Sequence, residues 1–461
     1  MDVNGKRALV VGLARTGVAA AEFLARRGAH VTVSEQEPAE QVAEYGERLR
    51  PLGIECETGG HQQATFLRAD FIVPSPGVPL SLPLLEAARR KGIEILSELE
   101  LAWRFLRGSV VAITGSNGKT TTTALLGKIF SDSGRLTLVG GNIGTPAITL
   151  VEASGEAATI VLEVSSFQLE AISSFRPRVA ALLNITPDHL DRHASMADYI
   201  AAKARLFSYQ REDDFAVFNA DDPRSAALAA GVRAQRIWFS RQRRLDAGAY
   251  LEGDRIVFAT GGRRERVLPQ SAIQLKGLHN LENVLAAVCA ARLLGVPAEV
   301  IHRAVASFEG VEHRLEFVAE IDGVAYYNDS KATNVDAALK AIAAFAGNLI
   351  VILGGKDKGS DFAPLREALA GRARCALLIG AAREKLAAAL RDGFPLEQVE
   401  TLPEAVVRAA ELARAGDTVL LAPACASFDQ FENFEHRGRV FKEEVRKLAA
   451  VHAGAKRGQA S

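Results

Sequence analysis

Short apolar runs alternate with amphipathic helical stretches along nearly the whole chain, and this alternation constrains the fold more than any other feature. Runs such as RALVVG, SVVAITG and NLIVILGG have no polar face, so both of their faces must be covered. Strands of that kind belong to parallel sheets, with helices supplying the crossovers. The pattern comes in three sections, so an α/β protein with three domains is predicted, at residues 1–100, 101–310 and 311–461. A chain of 461 residues accommodates that number, at about 100–200 residues per domain. In the first section RALVVG leads through a glycine-bearing turn into a helix over about residues 18–27, then the strands HVTVS and DFIV. In the second, SVVAITG leads into a helix over about residues 121–131, and ATIVLEVS and VAALLNIT follow. In the third, NLIVILGG, CALLIG and DTVLLAP are each followed by a helical stretch.

The formal net charge is zero. Nothing in the composition grips nucleic acid or an anionic membrane surface, so an anionic ligand must be held by local cations. Cys56, Cys289, Cys375 and Cys425 lie far apart with no CxxC pair, which supports neither a zinc knuckle nor a disulfide framework. No leader of the secretory type and no bilayer-length apolar run is found, so a cytoplasmic protein without membrane insertion is expected.

The strongest local signal is TGSNGKTT, with Gly115, Ser116, Asn117, Gly118, Lys119, Thr120 and Thr121 between an apolar strand and a helix. Glycines let consecutive N–H groups turn toward one anion, and the helix N-terminus adds partial positive charge. Lys119 can reach the β- and γ-phosphates of a nucleotide, and the Thr120 hydroxyl can ligate magnesium. The usual spacing would put glycine at Ile113, so this is a compressed phosphate loop. Glu163 ends the next apolar run and His189 follows another, in NITPDHLD. Ligands of parallel sheets bind at the carboxyl ends of strands, so Glu163, His189 and Lys119 can converge on a magnesium nucleotide. Lys203, read by its own surroundings, is a solvent-facing helix lysine. The loop from Gly12 to Gly17 opens a helix as a dinucleotide loop does, and Glu35 ends the following strand, but the spacing is GxxxxG. A nicotinamide-dependent dehydrogenase and a nucleotide-gated binding protein stay open at this level. The first leaves the phosphate loop and His189 without a role, and the second leaves Glu163 and His189 without one.

TGSNGKTTT, LEVSSFQLE, NITPDHLDRH, GLHNLENVLAA, EHRLEF, NDSKATN and APACASFDQF occur in the order seen in the Mur ligases, which the chain resembles over nearly its whole length. The resemblance implies an N-terminal Rossmann-like uridine-nucleotide domain, a central P-loop ATPase-type domain and a C-terminal Rossmann-like amino-acid domain. It is closest to members that add D-glutamate to UDP-N-acetylmuramoyl-L-alanine with ATP, through an acyl phosphate, in cytoplasmic peptidoglycan synthesis. That work serves cell-wall biogenesis, cell shape and division. By resemblance, Lys119, Thr120, Glu163, His189 and a carbamylated Lys203 hold the ATP phosphates and two magnesium ions. Asn280, Asn283, His313, Arg314 and Asp329 face ATP, and Lys331 faces the transferred phosphate. Arg15, Thr16, Ser75, Pro76, Gly77 and Asn142 face the UDP substrate, with the uridine end near Ser34 and Glu35. His189, Thr333, Lys358, Ser427, Phe428 and Phe434 face D-glutamate. Small-molecule partners only, and a monomer, are expected.

Overall fold

The computed structural model describes residues 1–142, 144–188, 192–391 and 393–459, with residues 453–459 described by backbone alone. Three sheets form among the described residues. The first has five parallel strands in the order Glu55–Glu57, His30–Ser34, Arg7–Val11, Phe71–Pro74 and Glu94–Ile95. The second has nine strands. Its parallel core runs Gln235–Ser240, Phe215–Asn219, Val179–Leu182, Ser109–Thr114, Thr159–Glu163 and Thr137–Gly141. The third has six strands, with Thr418–Leu421 beside Leu349–Gly354 at its centre.

The alternation thus led to parallel sheets, with two departures. Gly248–Glu252, Arg255–Thr260 and Arg263–Pro269 extend the second sheet as an antiparallel meander, and Glu316–Ile321 pairs antiparallel with Val324–Asn328. The strand Arg263–Pro269 carries four exposed residues, Arg263 to Arg266. Successive side chains point to opposite faces, so both faces of that stretch meet solvent and no apolar run betrays the strand.

The chain forms two compact units. One comprises Met1–Ile185, Arg192–Ala272 and Glu282–Ser307, and the other Thr186–Asp191, Ile273–Leu281 and Phe308–Ser461. The first two sheets share the larger unit because one apolar cluster runs through both, from Val10 and Leu24 through Leu99 and Ala102 to Ile148, Leu162 and Phe218. A buried carboxylate reinforces the join: Glu100, on the helix Glu98–Trp103, accepts the N–H groups of Ser173, Ser174 and Phe175 at 3.0, 3.1 and 3.0 Å. In the smaller unit, apolar clusters around Leu353 and Leu378 and around Ile352 and Val419 lie against the third sheet. No described helix is long and apolar enough to cross a membrane.

Candidate active site

The strand Ser109–Thr114 carries the chain into the loop, and the helix Lys119–Asp132 begins two residues earlier than its sequence pattern suggests. Gly118 is left-handed at φ 88°, and a Cβ there would stand 2.2 Å from Asn283 Oδ1, so only glycine fits. Asn184, at the exit of the neighbouring strand, fixes the loop from outside. Its Oδ1 accepts the Asn117 N–H at 2.9 Å, and its Nδ2 donates to the Asn117 carbonyl at 3.0 Å. Lys119 Nζ folds back onto the Gly115 and Ser116 carbonyls, both at 2.9 Å. The Thr121 hydroxyl, like those of Thr122 and Thr123 after it, is buried with no hydrogen-bond partner.

Register brings the other candidates to the same sheet end. Glu163 pairs with Ile113 on one side and Gly141 on the other, one residue before the loop strand ends and where the outer strand ends. It is buried at 2% exposure. Asn142 donates its N–H to the Glu163 carbonyl at 2.8 Å and its Nδ2 to Oε1 at 3.3 Å. Lys203 departs from its surface reading. It lies in the last turn of the helix Met196–Ala204, 2% exposed, and donates to the Gly115 carbonyl at 2.8 Å. Its Nζ stands 4.5 Å from the Tyr199 ring centroid, and Tyr199 Oη lies 3.0 Å from Ser116 Oγ. Sequence reasoning gave Tyr199 and Asn184 no role, because their partners are distant in the chain. His189 lies outside the described residues.

In the first sheet, Arg15 and Thr16 begin the helix Arg15–Arg26, and Ser75 closes over the glycine turn by donating Oγ to the Gly12 carbonyl at 3.1 Å. Pro76 is half-buried and Gly77 exposed beside it. Glu35 ties the glycine turn to its own loop, accepting the N–H groups of Leu13 and Glu37. Ser34 Oγ lies 2.8 Å from His61 Nδ1, an imidazole the sequence did not single out.

In the smaller unit, Thr333 and Lys358 line one cavity of about 530 Å³ with Thr186, Pro187, Asp188 and Asp336. Thr186 Oγ1 donates to Asp336 Oδ2 at 2.9 Å, and Lys340 donates to the same oxygen at 2.9 Å. Ser427, Phe428 and Phe434 are not among its described lining. Ser427 is buried and Phe428 is 65% exposed. Phe434 carries Lys331 Nζ over its ring at 4.5 Å and packs edge-on to His313. Asp329 is buried; burial pushes its carboxyl up to about 6, opposed by Arg314. The Arg314 Nε is itself buried without a hydrogen-bond partner. Asn280 donates to the Lys276 carbonyl at 2.7 Å.

Arg437 organises this unit and was not foreseen. Its guanidinium is 1% exposed and donates to Ser330 Oγ at 2.9 Å, the Ser330 carbonyl at 2.8 Å and the Cys425 carbonyl at 3.2 Å. It thereby joins the segment bearing Asp329 and Lys331 to the one bearing Ser427. Burial brings it down to about 10. Glu312, His313 and Glu316 stand close enough to suggest a metal site, but Lys442 donates to both carboxylates, so the knot is an ion pair.

A glycine loop before a helix N-terminus, a buried carboxylate on the adjacent strand and a buried lysine on the loop carbonyl meet at one sheet end, an arrangement suited to a phosphate group. Comparison with known proteins says which family built it. Residues 6–97 match the model of the Mur ligase MurD-like N-terminal domain, 113–291 the Mur ligase middle domain, and 313–425 the Mur ligase glutamate ligase domain. The UDP-N-acetylmuramoylalanine–D-glutamate ligase of Acidobacterium capsulatum is 54% identical over 457 residues, covering 99% of this chain and 98% of that protein. The chain belongs to the Mur ligase family. A second Mur ligase of the same name, from Koribacter versatilis, is 52% identical over 97% of this chain and 99% of its own. Solved Mur ligases share the fold at lower identity. The Thermotoga maritima UDP-N-acetylmuramate-alanine ligase MurC and a pseudomurein peptide ligase type C from Methanothermus fervidus each give a TM-score of 0.61 at 19% identity, covering 96% of this chain and 100% of theirs. The three domain types anticipated from the sequence are therefore those of the family.

Proposed function

We propose that this ligase joins D-glutamate to UDP-N-acetylmuramoyl-L-alanine, with conversion of ATP to ADP and phosphate, in peptidoglycan precursor synthesis. Relatives of that name, about half identical over nearly the full length, support the activity. The observation that carries the amino-acid end is the cavity lined by Lys358, Thr333 and Asn334 together with Asp188. A cation with hydroxyl and amide partners suits the side-chain carboxylate of glutamate.

A carboxylate is a poor electrophile, so amide formation requires activation. In this reading the alanyl carboxylate attacks the γ-phosphorus in line, ADP leaves, and an acyl phosphate forms. The D-glutamate amine then attacks the carbonyl carbon, and phosphate departs from the tetrahedral intermediate. Gly115, Ser116, Asn117, Gly118, Lys119, Thr120 and Thr121 hold the triphosphate. Asn280, Asn283, Arg314 and Asp329 hold the nucleoside end, and Lys331 meets the transferred phosphoryl group. Arg15, Thr16, Ser75, Pro76, Gly77 and Asn142 take the UDP substrate. His189, Thr333, Lys358, Ser427, Phe428 and Phe434 take D-glutamate. The donors fit magnesium: Thr120 and Glu163 supply oxygen, and carbamylation would turn Lys203 from a cation into an oxygen anion. With His189 these residues would hold two ions, whose charge offsets that of the phosphoryl oxygens. The reading divides the chain at residues 100 and 310, and takes the working form as a cytoplasmic monomer.

The test is phosphate release with UDP-N-acetylmuramoyl-L-alanine, ATP and magnesium, comparing D-glutamate with L-glutamate, L-alanine and meso-diaminopimelate. Release with D-glutamate alone, and a product heavier by one glutamyl unit, is the expected result. Release with a different amino acid would move the chain to a sister activity.

A further inference from the structure

Arg192 directly follows residues 189–191 and reaches into the first sheet's substrate wall. Its Nη1 donates to the Gly77 carbonyl at 2.9 Å and its Nη2 to the Val78 carbonyl at 2.8 Å. The guanidinium also lies over the Phe167 ring, 4.8 Å from its centroid. Phe167 belongs to the short helix Ser166–Leu169, which begins three residues after Glu163. The next residue, His193, stacks on the same ring at 5.4 Å and lies 3.0 Å from Ser166 Oγ.

The wall that Arg192 grips is itself tied to the glycine turn. Val78 N–H closes onto the Ser75 carbonyl at 2.9 Å, and Ser75 N–H onto Val11 at 2.8 Å. A Cβ at Gly17 would stand 2.0 Å from the Gly12 carbonyl and 2.9 Å from Ser75 Oγ. The turn after Val11 and the wall at residues 75–78 therefore move as one body. A guanidinium is a rigid planar fork, so two N–H groups on successive carbonyls fix the orientation of that body as well as its distance.

We propose that Arg192 is a positioning residue for the nucleotide-carried substrate: by holding the Gly77 and Val78 carbonyls and the Phe167 ring together, it sets the wall against the helix that follows Glu163. This rests on the reading of residues 15, 16 and 75–77 as the UDP-substrate wall. Arg192 acts through the wall's backbone and has no part in phosphoryl transfer. Its loss therefore weakens capture of one substrate among three.

The experiment measures KM for each substrate and kcat in the full-length Arg192→Met and Arg192→Lys variants. Met keeps the packing on Phe167 and removes both hydrogen bonds, whereas the Lys ammonium reaches one carbonyl at a time. Arg192→Met is expected to raise KM for UDP-N-acetylmuramoyl-L-alanine about tenfold, the scale of losing charge-assisted hydrogen bonds. KM for ATP and D-glutamate and kcat stay near wild type, and Arg192→Lys recovers part of the loss. An unchanged KM for the UDP substrate, or an equal loss toward all three substrates in the Lys variant, overturns the proposal. A wild-type enzyme that turns over without the UDP substrate overturns the underlying reading as well, which separates the two failures.

Discussion

Lys119 and Lys203 share one acceptor: both Nζ atoms donate to the Gly115 carbonyl oxygen, at 2.9 and 2.8 Å. Two cations on a single carbonyl repel each other, and an anion at either position relieves the repulsion. Lys119 begins the helix and, in the proposed function, meets the triphosphate. Lys203, buried in its own helix beside Tyr199, is the one whose conversion to a carbamate would make the pair opposite in sign.

Replacing Lys203 with Met should therefore spare the fold and abolish the chemistry. Met fills the buried space without a charge. Phosphate release is expected to fall by roughly 100-fold or more, as when an electrostatic group is lost from a reacting centre. Thermal unfolding of the variant should stay close to wild type. A variant that keeps full turnover would remove Lys203 from the machinery.

The two lysines of the Lys356-Asp357-Lys358 run should separate in function. Lys358 lines the cavity with Thr333, while the Lys356 backbone is bridged to Ala426, with its N–H on the Ala426 carbonyl at 2.8 Å. Lys358→Ala is expected to raise KM for D-glutamate about tenfold or more and leave KM for ATP unchanged. Lys356→Ala should change neither. Steady-state kinetics with each substrate varied in turn gives the answer.

Glu98 sets a pH dependence of stability. Burial pushes its carboxyl from 4.5 up to about 7, only partly offset by the Ile148 N–H at 2.7 Å. Its Oε2 is buried with no hydrogen-bond partner. The folded state therefore holds a proton that the unfolded state has lost. Stability falls as pH rises through about 4.5 to 7 and levels off above. At about 1.4 kcal/mol per unit, the full drop is on the order of 3 kcal/mol. Urea midpoints across this range should show the decline, and Glu98→Gln should flatten it.

Arg437 should be a stability determinant of the C-terminal sheet. Arg437→Met strands the Ser330 and Cys425 carbonyls, which the guanidinium now satisfies. A loss of about 2–4 kcal/mol is expected from the orphaned acceptors, read as a lower urea midpoint. Arg437→Lys should recover only part, because an ammonium cannot span both segments.

The sequence by itself determined the parallel sheets, the phosphate loop and the place of Glu163 at a strand end. Each is written in a contiguous stretch of chain: an unbroken apolar run, a glycine turn before Lys-Thr, a carboxylate where the run stops. Only the tertiary structure decided that Lys203 is buried, that Asn184 braces the loop, that Lys358 rather than Lys356 lines the cavity, and that Arg192 and Arg437 each span two segments. The pairs Lys203 with Gly115, Arg192 with Gly77 and Arg437 with Ser330 lie 88, 115 and 107 residues apart. A lysine or arginine on a helix or in a turn has the same local pattern whether it meets water or a distant carbonyl. The difference arises only when packing brings that carbonyl within hydrogen-bond reach and takes the water away.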